Sequence, residues 1–256
     1  YGPGELFRQH NEHRIPFARL LFFADVRWFG ASGVFLLVSI LAMQLAHGLV
    51  LTAVVCRVGN GWSVKAAAAV LAIATFFSGT QMENLIWGFQ VQFALVYLAA
   101  TVAFGCLCAS IGARGTRTGN AWLGASLLAA FCCTYGMANG LLVWPLLLSV
   151  ASLARASRPS WIAIAIGGAL CWIAYFVGYR FDERVTGAGL PTVGTIATFV
   201  STFLGNPVSH RGVEVASTVG WIGLVVGAAA TVVALGRSSQ RSRAHVVLVH
   251  VMAFCV

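Results

Sequence analysis

The stretch FQVQFALVYLAATVAFGCLCASI, residues 89–111, decides the fold. It carries no charged side chain from Phe89 to Ile111. Crossing the hydrocarbon of a bilayer as a helix takes about 20 apolar residues. The run does not alternate apolar and polar residues, so it reads as a helix and not as a strand of a membrane barrel. The same reading extends to Ala31–Cys56, Trp161–Val177 and Val213–Leu235. The whole chain is 59% hydrophobic and 9% charged, against roughly 25% charged in a soluble domain. The expected fold class is therefore all-α: a polytopic transmembrane helix bundle with seven to eight spans.

Working outward from residues 89–111, two regions are expected. Residues 1–29 form a juxtamembrane segment at the outer face, and residues 30–256 form the transmembrane helical domain. Spans are expected at about 31–56, 64–79, 89–112, 120–134, 138–154, 160–179 and 213–236. An eighth starts near 245. A long polar loop is expected over 180–212. Within it, Thr192–Leu204 is apolar enough to lie along the interface. The chain starts at Tyr1 without methionine and stops inside an apolar run, so it reads as a fragment truncated at both ends.

Charge orders these spans. Alternating them puts Arg57, Lys65, Arg114, Arg117, Arg155, Arg158, Arg237, Arg241 and Arg243 on one side, with no acid. All the acids fall on the other: Glu5, Glu12, Asp25, Glu83, Asp182, Glu183 and Glu214. Cytoplasmic loops collect Lys and Arg. The arginine-rich loops are thus expected in the cytoplasm, and the acidic loops in the periplasm or outside. This also accounts for the net charge of +9 without nucleic acid. The seven cysteines lie in apolar segments and read as small buried hydrophobes, not as a zinc site. No Walker loop, dinucleotide fingerprint or internal repeat is present.

Four constellations carry polar chemistry on the acidic side. The first is RQHNEHR, residues 8–14, ahead of an amphipathic segment opened by Pro16. Glu12 suits a general base, with His10 or His13 as proton partner. Arg14 and Arg19 suit a phosphate. His10 and His13, three apart, leave a divalent metal as an open alternative. Phe17, Leu20, Leu21, Ala24 and Trp28 recur at helical spacing and are expected to rest on the membrane. The second is SGTQMENLIWGFQVQF, residues 78–93. Thr80 and Glu83 fit a capping box for the following span. Glu83, Trp87 and Gln90 fall on one helical stripe suited to a sugar: amides and an acid for hydroxyls, an indole for the ring face. Helix–helix hydrogen bonding is the competing reading for Gln90 and Gln92. The third is Tyr135 and Asn139 in a tight turn. The fourth is Arg180, Asp182, Glu183, Arg184, His210, Arg211 and Glu214, where a solvated loop is the competing reading. His47 and Gln44 inside the first span read as helix-packing hydrogen bonders.

NEHRIPFARLL, ENLIWGFQVQF and NGLLVWP together resemble a group of largely uncharacterised bacterial polytopic membrane proteins with an EHR-type motif before a span and a WGFQ-type motif later. Their layout is similar to the GT-C class of glycosyltransferases. The resemblance implies transfer of a sugar from a polyprenyl-phosphate-linked donor to a glycan or lipid acceptor at the outer face of the bacterial inner (plasma) membrane. It singles out Glu12, His13 and Arg14, and then Glu83, Asn84, Trp87, Gly88, Phe89 and Gln90. Glu12 and His13 are expected to be catalytic. Arg14 with Arg180, Arg184 or Arg211 is expected to hold the donor phosphate. Glu83, Asn84, Trp87 and Gln90 are expected to shape the sugar pocket. The acidic pair that GT-C enzymes carry soon after the first span is absent from this sequence. The rival readings are a transporter or lipid flippase, and a membrane assembly subunit without chemistry.

Overall fold

The computed structural model describes residues 2–58, 61–77, 79–181, 191–206 and 212–237. Every regular element among them is helical, apart from one isolated bridge between His10 and His13. In chain order these are α1 (Pro3–Leu6), α2 (Pro16–Trp28), α3 (Val34–Val58), α4 (Trp62–Phe76), α5 (Met82–Ile86), α6 (Val91–Gly112) and α7 (Arg117–Thr134). There follow α8 (Val143–Leu153), α9 (Arg158–Phe176), α10 (Val193–Gly205) and α11 (Val213–Arg237). Tight 3-10 turns at Gly79–Gln81, Gly88–Gln90 and Ala138–Leu142 lead into α5, α6 and α8.

Four stretches among the described residues are long and apolar enough to cross a membrane: Val34–Ala53, Gly88–Gly112, Arg158–Phe176 and Val213–Ala230. They mark a helical membrane protein. The expected second span is the 15-residue α4, and the expected fifth centres on the 11-residue α8. Both fall short of the roughly 20 residues that a full crossing needs. The expected eighth span lies outside the described residues.

The chain divides into two compact units, with a boundary between Tyr179 and Arg180. In the first unit α6 is the central helix. About 61% of its apolar stretch is buried, against 22% for Val34–Ala53 and 22% for Arg158–Phe176. It packs against α3, α7 and α8. Small and hydroxylic side chains allow this. Ser126 of α7 donates to the Ala103 carbonyl (2.7 Å), and Trp144 Nε1 of α8 donates to Thr134 Oγ1 (2.8 Å). Gly168 of α9 leaves room for the Trp144 ring, which a Cβ would crowd. His47 of α3 and Thr101 of α6 share a buried hydrogen bond of 2.7 Å, as a helix-packing pair.

The N-terminal segment is part of this unit. Ile15 and Ala18 are buried with Ile40, Val91 and Ala94, and Leu21 and Phe22 pack on the same cluster. Phe17 meets Phe131 edge-on, with ring centres 5.9 Å apart. The stripe expected to rest on the membrane thus mostly faces protein: of its members, Leu20 and Trp28 are exposed, while Ala24 is buried. The outward face is formed instead by Leu20, Phe23 and Val26. An amphipathic pattern reports one apolar face, not which solvent meets it.

Arg114 donates to the Arg155 carbonyl, which joins the α6–α7 and α8–α9 connections at one end of the bundle. The His10–His13 turn meets the 3-10 turn that follows α7 and the C-terminal end of α9 at the other.

The second unit contains α10 and α11, which pack as a hairpin. A Cβ at Gly205 would overlap the Ala216 carbonyl, and one at Gly220 would overlap the Ser201 carbonyl. The bare glycines therefore set the backbone approach, and Ser201 and Ser217 hydrogen-bond across it at 2.7 Å. The expected polar loop over 180–212 is thus interrupted by a helix. Thr192 caps that helix by accepting from the Thr195 N–H at 3.1 Å.

Candidate functional site

Residues His10–His13 form a tight reverse turn. The His10 N–H donates to the His13 carbonyl at 2.7 Å, and the His13 N–H donates back at 2.9 Å. Asn11 takes the left-handed conformation (φ 51°) that asparagine tolerates better than most residues. Pro16 then opens α2 as expected from sequence.

Long-range bonds hold the turn. The Tyr175 and Tyr179 hydroxyls both donate to the Glu12 carbonyl, at 3.1 and 3.2 Å. The Ala138 N–H donates to His13 Nδ1 at 3.2 Å. Arg14 is the clamp. Its Nε donates to the Tyr175 carbonyl (2.8 Å), Nη1 to the Phe7 carbonyl (2.7 Å) and Nη2 to the Val177 carbonyl (2.6 Å). Those carbonyls at the end of α9 have no helical donor of their own. Three of the five guanidinium N–H groups are thus committed to backbone. Arg14, expected to hold the donor phosphate, thus has most of its donors on the protein, with one N–H on each Nη left over.

The WGFQ segment joins this turn, a juxtaposition that sequence spacing does not reveal. Phe89 stacks on Phe22 (5.9 Å, interplanar 6°) and touches the His10 ring at 6.0 Å. Gly88 lies close to α3, where a Cβ would sit 3.1 Å from that of Leu36. His10, Phe89, Phe22 and Leu36 line a pocket of about 710 Å³, with Leu20, Phe23 and Val26 on the outward side. The pocket is apolar except at Arg19 and His10. Arg19 Nη1 donates to the Glu5 and Leu6 carbonyls (2.6 and 3.0 Å). Its Nε and Nη2 make no hydrogen bond among the described residues.

The expected sugar stripe is not one helix. Trp87 is extended (φ −109°, ψ 109°) between α5 and the 3-10 turn that opens α6. Glu83, Trp87 and Gln90 therefore do not share a continuous face. Gln81, not Thr80, precedes the first turn of α5, and Glu83 lies within that five-residue helix, so it does not cap the span. Glu83 and Trp87 are exposed. Asn84 donates to Gln81 Oε1 at 2.8 Å. Gln90 and Gln92 are buried, at 8% and 3% exposure, and their Oε1 atoms have no hydrogen-bond partner among the described residues. Tyr135 is buried against Phe7, Phe131 and Tyr175. Arg180 lies in the second unit, and Arg184, His210 and Arg211 lie outside the described residues, as do Asp182 and Glu183.

The chemistry available at the turn is now specific. Glu12 is exposed, and its carboxylate makes no hydrogen bond among the described residues. His13 is held below its ordinary value of 6.5, first by burial and further by His10, with Glu12 opposing. Its Nδ1 accepts the Ala138 N–H, which fits the neutral ring and leaves Nε2 to donate. His13 thus positions the turn and offers a donor, while Glu12 offers the base. No group of three His, Cys, Asp or Glu with metal-site spacing occurs among the described residues.

No family model, curated protein or solved structure matches this chain.

Proposed function

We propose that this protein is an integral membrane glycosyltransferase that moves a sugar from a polyprenyl-phosphate-linked donor to an acceptor at the outer face of a bacterial inner membrane. The supporting observation is the pocket: apolar walls beside α2, one arginine with unspent donors, and the Glu12 turn adjoining through His10. An apolar cleft with a few convergent polar groups is the usual form of a ligand site. A prenyl chain fits the Phe22, Phe23 and Leu36 walls, and a phosphate fits Arg19.

In this reading Glu12 takes the proton from the acceptor hydroxyl. The acceptor oxygen forms a bond to the anomeric carbon as that carbon's bond to the phosphate oxygen breaks, with inversion. The phosphate departs on the polyprenol, its charge held by Arg19. Arg14 keeps the turn in register with α9. The His10–Arg14 end faces the periplasm or exterior, and the Arg114 end faces the cytoplasm. The spanning stretches hold no Asp or Lys, and their single Glu, Glu214, lies in the first turn of its stretch, which disfavours an ion-coupled transporter.

Native mass spectrometry of the full chain with added polyprenyl-phosphate-linked sugar tests this. Retention of the lipid is expected, with loss in Arg19→Gln. Glu12→Gln is expected to retain the lipid and lose transfer. Absence of retention in the wild type, or full transfer by Glu12→Gln, overturns the assignment.

A further inference from the structure

At the opposite end of the first unit is a small polar recess, of about 30 Å³, lined by Ser110, Arg114, Gly119, Asn120, Ser157 and Ser160. We infer that it is a phosphate-binding site, filled by an anionic lipid headgroup or by soluble phosphate.

Several independent features converge there. Both α7 and α9 begin at the recess, and both are long enough for their first turns to carry a positive end. Thr116 caps α7 by accepting from the Gly119 N–H at 3.0 Å, and Ser157 caps α9 by accepting from Ser160 at 3.3 Å. Those caps satisfy one donor each and leave the Arg117, Thr118 and Arg158 N–H groups without a helical acceptor, Pro159 having no N–H. Gly119 keeps the floor tight, since a Cβ there would overlap the Ala113 carbonyl.

Ser110 is the decisive side chain. It is 6% exposed, lines the recess, and makes no hydrogen bond with any described residue. Its hydroxyl opens on the recess and is placed to donate to a ligand oxygen there. Arg114 closes one side and is anchored on the Arg155 carbonyl, which fixes its guanidinium where it meets the ligand. Arg117 and Arg158 open the two helices. No Asp or Glu occurs between Asn84 and Phe181, so nothing in α6, α7, α8 or α9 neutralises this cluster. The volume admits about two water-sized groups. It therefore takes the terminal oxygens of a phosphate whose remaining atoms lie outside, as for a lipid headgroup at the bilayer surface.

The experiment uses the full chain, delipidated in neutral detergent and titrated with phosphatidylglycerol, phosphatidylcholine or inorganic phosphate, with adducts read by native mass spectrometry. One adduct is expected that binds phosphatidylglycerol about tenfold more tightly than phosphatidylcholine. Arg114→Gln lowers its affinity about tenfold, and Ser110→Ala, which keeps every charge, lowers it about threefold. Arg8→Gln, at the opposite end, leaves it unchanged. If inorganic phosphate gives the adduct with the same variant sensitivity and phosphatidylglycerol does not, the site is one for soluble phosphate. Anionic binding that is indifferent to Ser110→Ala, or lost equally in Arg8→Gln, reflects diffuse attraction and overturns the site.

Discussion

Arg14→Ala separates a clamp from a ligand. The side chain makes three charge-assisted bonds to backbone carbonyls, at 2.8, 2.7 and 2.6 Å. A hydrogen bond to a charged group nets about 1.5–3 kcal/mol when shielded. Only the Tyr175 contact is partly buried; the Phe7 and Val177 contacts are exposed, and water competition leaves each of those about 0.5 kcal/mol. The expected loss is therefore about 3 kcal/mol, most of it from the Tyr175 carbonyl. Arg14→Lys should recover little, because one ammonium cannot span carbonyls on Phe7, Tyr175 and Val177 together. Thermal unfolding of the purified protein in detergent, followed by tryptophan fluorescence, reads the effect. A clamp predicts a clear drop in Tm for both variants, with donor-lipid retention falling only as the fold does. If Arg14→Ala unfolds at the wild-type temperature yet loses the lipid, the side chain is a ligand and the reasoning fails.

Three other substitutions probe the same assembly. Tyr175→Phe removes a hydroxyl that donates to the Glu12 carbonyl and accepts the Arg14 N–H; a loss of about 1–2 kcal/mol is expected in the same unfolding assay, and an unchanged Tm would contradict the described network. His13 has a folded pKa below its unfolded 6.5, so the unfolded chain binds more protons between those values. Its contribution is complete above pH 6.5 and is lost as pH falls through the lower folded value. Tm should thus drop on acidification from neutral, and His13→Asn, which keeps an acceptor for the Ala138 N–H, should flatten part of that slope. Gly140→Ala places a Cβ against the Cys133 carbonyl; a penalty of about 2 kcal/mol or more is expected, and wild-type stability would refute the described packing of the turn on α7.

The class of this protein was legible from residues such as 89–111 alone. Hydrocarbon imposes a length and polarity rule that is local in sequence, so α3, α6, α9 and α11 appear where the apolar runs lie. Pro16 as a helix start and His47 as an interhelical hydrogen bonder also follow from local rules, since a proline fixes its own φ and a polar group in a span needs a partner. Periodicity also found the amphipathic α2, but assigned its apolar face to lipid. Phe17 and Leu21 meet protein instead, because lipid and a protein core are equally apolar and only three-dimensional packing tells them apart.

The site was legible only as separate pieces. Sequence singled out His10–Arg14 and Trp87–Gln90 but placed Glu83, Trp87 and Gln90 on one stripe. Their separation follows from the extended Trp87, and nothing in residue spacing signals that single ψ change. Arg14 looked like a phosphate ligand because its charge is visible in sequence. Its carbonyl partners on Tyr175 and Val177 lie more than 160 positions away and are backbone groups, identical for every residue type. The contact of His10 with Phe89, and the pocket they share with Arg19, arise where α2 crosses α3 and α6. Sequence thus determined which segments enter the membrane, through a solvent rule acting on each segment alone. Tertiary structure decided which polar groups meet and which are already spent, because those contacts form between segments whose separation leaves no periodic trace.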